Sequence, residues 1–303
     1  MIKLSSKIGI FMLLSTMAFA GGTVEIGFES ETRDSNDSTT FEKQKQNNFI
    51  LPYVKTKTFF GENSPYFIEA NYSYKHDYEK IKAKRTERDR YEVFIGGYKL
   101  VSDRFVFAPK VGVRHEEFNN IGKASETHFK FYPGMSFKIN PKNAVSLVGY
   151  FEYSESKMKG KDGYTYDKEN GDYIHELSLD YMHKTYDKQA IIASLFNKYE
   201  ENTDVNTVNV WELRFKMNHT TESGRLTVSP YVRLPIHGEN KIESGVKKGT
   251  KTDINKARVG VASSYKVTES LTTLGEVWYQ TQTMNKLPSL DTYFLKLALR
   301  YAY

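Results

Sequence analysis

Alternation with a period of two residues runs through much of this chain. In its last twelve residues Tyr293, Leu295, Leu297, Leu299, Tyr301 and Tyr303 form one set, while Phe294, Lys296, Ala298, Arg300 and Ala302 form the other. A two-residue period places the sets on opposite faces of a β-strand, here one apolar and one carrying cations. The pattern recurs at 105–115, where Phe105, Phe107, Pro109, Val111 and Val113 oppose Lys110, Gly112 and Arg114. At 127–139, Phe129, Phe131, Met135, Phe137 and Ile139 oppose His128, Lys130, Ser136 and Lys138. At 225–235, Leu226, Val228, Pro230, Val232 and Leu234 oppose Arg225, Thr227, Ser229, Tyr231 and Arg233.

Extended along the chain, the pattern predicts fourteen strands: 23–33, 48–59, 66–75, 90–100, 105–115, 127–139, 144–154, 173–183, 190–199, 208–218, 225–235, 254–265, 271–281 and 292–303. Two have no clear outer face. In 90–100, Tyr91, Val93 and Ile95 compete with Phe94, Tyr98 and Leu100, and 191–195 is almost continuously apolar. Pro52, Pro109, Pro133 and Pro230 fall inside strands, where each removes a ladder donor, so bulges or local defects are expected there. The connections alternate in length. Those at 61–65, 101–104, 140–143, 184–189, 219–224 and 266–270 are short and rich in turn formers. Those at 34–47, 76–89, 116–126, 155–172, 200–207, 236–253 and 282–291 are mostly longer and charged. Short turns at one end and longer loops at the other are the pattern of bacterial outer-membrane barrels.

Composition changes the picture in two ways. The mean hydropathy is well below zero, and no segment beyond residue 20 is long and apolar enough for a membrane helix. Alternating barrel strands nevertheless average out as polar. The 22 Tyr, 19 Phe and 2 Trp suit a membrane–water interface. At the amino terminus, Lys3 and Lys7 precede an apolar run at 8–17 and the small-x-small site Ala18-Phe19-Ala20. These predict a signal peptide over 1–20, cleaved near Ala20-Gly21, and a barrel domain over 21–303. Losing Lys3 and Lys7 takes the formal net charge from +6 to +4. With zero cysteines, an exported chain has no disulfide scaffold.

The expected fold is therefore all-β, a transmembrane antiparallel up-and-down barrel. Lipid forbids an open edge, because unpaired backbone groups there cost several kcal/mol each. Fourteen strands spaced about 4.8 Å apart and tilted near 40° give a backbone diameter of about 28 Å. Roughly 6 Å of side chain per wall still leaves a lumen wider than a sugar ring. Charged residues in strands must face that water, since Arg or Lys facing mid-membrane lipid costs about 2–4 kcal/mol. Lys110, Arg114, Lys130, Arg214, Lys216, Arg225, Arg233, Arg258, Lys296 and Arg300 are the cationic pore-lining candidates. Glu69, Glu152, Glu212 and Glu276 are acidic candidates, with Glu25, Glu29, Glu176 and Asp180 also inward. Such charges serve either simply to solvate the lumen or as a basic ladder for acidic solutes. Arg214, Lys216, Arg225 and Arg233 on neighbouring strands favour a ladder, while Glu212 interrupts it.

With the strands placed, the chain resembles the OmpG-type family of monomeric, fourteen-stranded porins. The resemblance is carried by LTVSPYVRL at 226–234, ARVG at 257–260 and SLTTLGEVWY at 270–279, in that order and spacing. It implies a monomeric, relatively non-selective diffusion channel in the outer membrane of a Gram-negative cell, for saccharides and other small hydrophilic solutes. It also implies two facing positions on strands twelve and thirteen that hold a histidine pair in pH-gated members. Here they are Ile254 and Met284, so histidine-pair gating is not expected. His237, at the start of the loop at 236–253, remains as a lone histidine. The terminal Tyr303 is similar to the carboxy-terminal signal by which such barrels are recognised for assembly.

No HExxH, GxSxG or phosphate loop is present, and no catalytic residue, metal or cofactor is assigned. A barrel phospholipase or protease built from separate strands is the enzymatic alternative. His115-Glu116-Glu117 and His175-Glu176 place neighbouring side chains on opposite faces. The acids at 161–172 miss the spacing of a calcium loop. The basic segment 80–90 is an outer loop, either merely solvated or touching anionic polysaccharide or headgroups, and nucleic acid is excluded by export. Expected partners are outer-membrane lipid, the barrel-assembly machinery and small hydrophilic solutes. Besides a general porin, a porin selective for acidic oligosaccharides and a surface adhesin or receptor remain open.

Overall fold

The computed structural model describes residues 21–35, 48–61, 64–77, 87–118, 123–159, 165–167, 171–203, 205–245, 248–284 and 287–303. Among them the regular structure is all strand, with no helix. Residues 1–20, expected as a signal peptide, lie outside the described residues, as does most of the loop at 161–172. The barrel strands are β1 (Gly22–Ser35), β2 (Phe49–Phe59), β3 (Tyr66–Asp77) and β4 (Arg88–Gly97, continued by Lys99–Ser102). Next come β5 (Phe105–Phe107 and Lys110–Phe118), β6 (Lys123–Tyr132 and Met135–Asn140), β7 (Asn143–Lys159) and β8 (Asp172–Tyr186). The last six are β9 (Gln189–Asn202), β10 (Asn206–Thr220), β11 (Leu226–Ile242), β12 (Lys251–Lys266), β13 (Leu271–Met284) and β14 (Leu287–Ala302). Each pairs antiparallel with the next, and β14 returns to β1 from Thr23↔Ala302 to Ser35↔Leu290. The result is a closed fourteen-stranded barrel. A three-residue strand, Thr165–Asp167, adds to the outer end of β7.

Alternation sorts the side chains as the sequence pattern requires. Val259, Val277, Leu295, Leu297 and Leu299 form part of an exposed apolar outer surface. The two undecided strands are settled by register. Val93 and Ile95 are outward while Phe94 is buried inside, and Ile191 and Leu195 are outward while Phe196 is inside.

Several strands run further outward than their hydropathy suggested. β7 continues to Lys159, β11 to Ile242, and β9 and β10 leave only 203–205 between them. Beyond the lipid both faces are wet, so the alternation stops while the backbone ladder continues. The expected loops at 200–207, 236–253 and 282–291 are therefore shorter than anticipated. Of the prolines, Pro109 and Pro133 mark breaks in β5 and β6, where the Ala108 N–H donates to the Gly134 carbonyl at 2.7 Å. Pro52 and Pro230 interrupt pairing on one side without shifting the register, contrary to a bulge. At Pro230 the gap is bridged by Ser229 Oγ donating to Asn218 Oδ1 at 2.8 Å. The real bulge is at 234–238, where the register of β11 slips against both neighbours. It turns His237 to the outer face opposite Trp211, so His237 is a strand residue and not a loop one.

Gly22 and Tyr303 exchange backbone hydrogen bonds of 3.0 and 3.1 Å, and Tyr303 Oη lies 3.0 Å from Thr58 Oγ1. Deleting Tyr303 therefore removes the last rung of the closing seam. We expect the truncated chain to assemble in lower yield while inserted channels keep their conductance. Insertion equal to the full chain, measured by heat-modifiable gel mobility, would count against this.

Candidate functional site

The inner face is identified by side chains that reach over an intervening strand on the concave side. Lys110 Nζ on β5 donates to Glu69 Oε2 on β3 at 2.8 Å, and Tyr231 Oη on β11 donates to Glu276 Oε1 on β13 at 2.6 Å. The strand beneath must be low for this to occur. Gly260 lies directly opposite Tyr231, and a Cβ there would meet its ring. Gly112 does the same for Phe94. These glycine–aromatic pairs are legible only once the register is known.

The inner carboxylates Glu25, Glu92 and Glu152 are each held by several donors. Glu25 accepts from Arg300 at 2.6 Å and from Tyr53 Oη at 2.8 Å, with Lys296 Nζ 3.5 Å away. Glu92 accepts from Arg114 at 2.6 Å and from Asn71. Glu152 accepts from Lys130 Nζ at 2.6 Å and lies 2.7 Å from His128 Nδ1, and Lys130 and Glu152 are both almost fully buried. Arg88 and Arg90, expected in the outer loop at 80–90, are strand residues on the inner face. They pair with Glu116 at 3.1 and 2.6 Å. Hydropathy could not reveal this, because the outer ends of the strands carry charge on both faces. Residues 80–86 are outside the described set.

The wall of β10–β13 is different. Arg214 pairs with Glu212 at 2.8 Å and lies over the Phe196 ring at 3.2 Å. Arg233 and Arg258 have no carboxylate partner among the described residues. Arg258 instead donates to Gln280 and sits 3.8 Å over Trp278. Lys216 is exposed on the inner face of β10, between Ile192 and Tyr231. Arg225 is the exception to the expected set. It lies exposed in the turn before β11 and not on the barrel wall, because the strand starts one residue later.

Two cavities lined by described residues open on this inner face. One, of ≈ 510 Å³, collects residues of β14 and β1–β6, including Glu25, Lys57, Glu69, Arg114 and Arg300. The other, of ≈ 330 Å³, collects residues of β1 and β8–β14, including Glu212, Arg214, Arg233, Arg258 and Trp278. The second brings six cationic side chains (Arg33, Lys198, Arg214, Arg233, Lys256 and Arg258) against three carboxylates (Glu31, Glu176 and Glu212). Ile254 and Met284 are cross-strand backbone partners, so these two positions do face one another, without histidine. Glu116, Glu126 and His128 approach closely enough to hold a metal ion, although Arg88 and Arg90 already neutralise Glu116.

No family model and no curated protein matches this chain. Solved structures do. The CymD monoaromatic hydrocarbon channel superposes with a TM-score of 0.58 at 7% identity, over 95% of this chain and 90% of that one. The toluene transporter TodX of P. putida gives 0.55 at 9% identity, over 94% and 90%. An outer membrane channel from Pseudomonas putida F1 gives 0.52 at 9% identity, over 95% and 98%. What is shared is the barrel fold. The inner wall belongs to this sequence alone and has to be read from its own residues.

Proposed function

We propose that this chain is an outer-membrane porin, a passive diffusion channel for small hydrophilic solutes such as mono- and oligosaccharides. The carrying observation is the division of faces in a closed barrel. An apolar outer set meets lipid, and a charged inner set lines open cavities. Lys110, Arg114, Arg214, Lys216, Arg233, Arg258, Lys296 and Arg300, with Glu69, Glu212 and Glu276, are the proposed lining of the passage, while Lys130 and Glu152 pair within its wall. Passage requires neither a catalytic group nor a cofactor. The wall solvates a permeating polar solute in place of bulk water. Ion pairs such as Arg114–Glu92 and Arg300–Glu25 keep side chains against the wall and so hold the route open.

The same reading has residues 1–20 removed as a signal peptide, assembly by the barrel machinery, and function as a monomer of OmpG type. Proteoliposome swelling tests it. Vesicles carrying the inserted protein should swell in isotonic pentose and hexose, with rates falling as sugar size rises. Inserted protein that admits no sugar would contradict the channel and leave the adhesin or receptor reading.

A further inference from the structure

Resting on the channel reading, we propose that Arg214, Arg233 and Arg258 form a binding station for carboxylate-bearing sugars at mid-height in the lumen. The three are directly opposed across adjacent strands, as Arg214↔Arg233 and Arg233↔Arg258. Like charges facing each other across a ladder are destabilising. Elsewhere on the inner wall the buried carboxylates Glu25, Glu92 and Glu152 are each matched by cations. Here, among the described residues, only Arg214 of the three guanidiniums has a carboxylate partner, Glu212. An acidic solute seated among them supplies the missing negative charge.

The arginines are also fixed in place. Arg258 Nε and Nη2 donate to Gln280 Oε1 at 3.1 and 2.7 Å, which leaves three of its five N–H donors uncommitted. Its guanidinium lies 3.8 Å over Trp278, which is itself stacked on Phe294 at 4.9 Å and 10°. Arg214 is backed by Phe196 in the same manner, and Arg233 lies 5.6 Å from the Tyr231 ring centroid. Aromatic backing restricts the guanidinium planes, so less side-chain freedom is lost when a ligand binds. The planar fork of arginine matches a carboxylate through two parallel hydrogen bonds, which a neutral hydroxyl cannot reproduce. Beside the fork, Trp278 lines the same cavity and gives the sugar ring an apolar contact. Together these select for a sugar that carries an acid.

The test uses single channels of the full barrel in planar bilayers at neutral pH. Its probes are cellobiouronic acid and cellobiose, disaccharides that differ by one carboxylate. The acid should interrupt the ion current at a half-blocking concentration about tenfold or more below that of cellobiose, the effect of one charge-assisted contact. Arg233→Gln with Arg258→Gln should bring the two half-blocking concentrations to within about twofold of each other. Arg233→Gln alone, which removes one like charge from the row, serves if the double variant does not insert. Equal block by both sugars in the unmodified protein overturns the station and leaves the channel standing. So does a preference for the acid that survives both substitutions. An inserted protein that carries no current sinks the channel reading and the station with it.

Discussion

Lys130→Met is expected to destabilise the folded barrel by about 3 kcal/mol. Lys130 Nζ lies 2.6 Å from Glu152 Oε2, with side-chain exposures of only 1% and 3%. Solvent therefore screens this pair little, and removing the ammonium strands a buried carboxylate. Breaking such a pair costs about 3–5 kcal/mol, and the low end applies because His128 Nδ1 stays 2.7 Å from Glu152 Oε1. Reversible urea unfolding in vesicles measures the loss. Adding Glu152→Met to Lys130→Met should recover much of it, since two apolar groups leave no charge unpaired. Lys216→Met, at an exposed inner position, should change stability by less than about 0.5 kcal/mol. A loss at Lys130 no larger than that at Lys216 would show that the cluster is hydrated and open.

The second large effect separates two neighbours on β9. Leu195→Arg should cost about 2–4 kcal/mol, the penalty for a cation facing mid-membrane lipid. Ser194→Arg, one residue earlier, should cost less than about 1 kcal/mol. Ser194 lies between Asp180 on β8 and Arg214 on β10, so the new guanidinium meets water, with an acid on one side offsetting a cation on the other. Unfolding free energies of the two variants, measured side by side, should differ by at least about 1 kcal/mol, roughly fivefold in equilibrium constant. Equal losses, or a larger loss at Ser194, would invert the assignment of faces along this strand.

That strand also shows where reading the sequence reaches its limit. The number of strands, the closing seam and the inward cations of β5, β6 and β14 follow from alternation, because lipid on one side and water on the other enforce it. On β9 an inward Ile192 and the aromatic Phe196 blur the pattern, since an inner wall tolerates apolar residues whereas lipid does not tolerate charge. Arg88 and Arg90 were hidden because their strand ends stand clear of the membrane. The slip at 234–238 changes the face of His237 without any change in composition. Arg214 and Arg233 could be seen to lie on neighbouring strands. Their alignment with Arg258, and the glycines beneath Phe94 and Tyr231, depend on register, which hydropathy does not encode.

A continuous aqueous passage is expected to run through this barrel. Single-channel recording of the full-length protein in a planar bilayer tests it most directly. Discrete, long-lived current steps that scale with salt concentration are expected. Inserted, correctly folded barrels that carry no current would show the inner side chains to fill the lumen, and would contradict it.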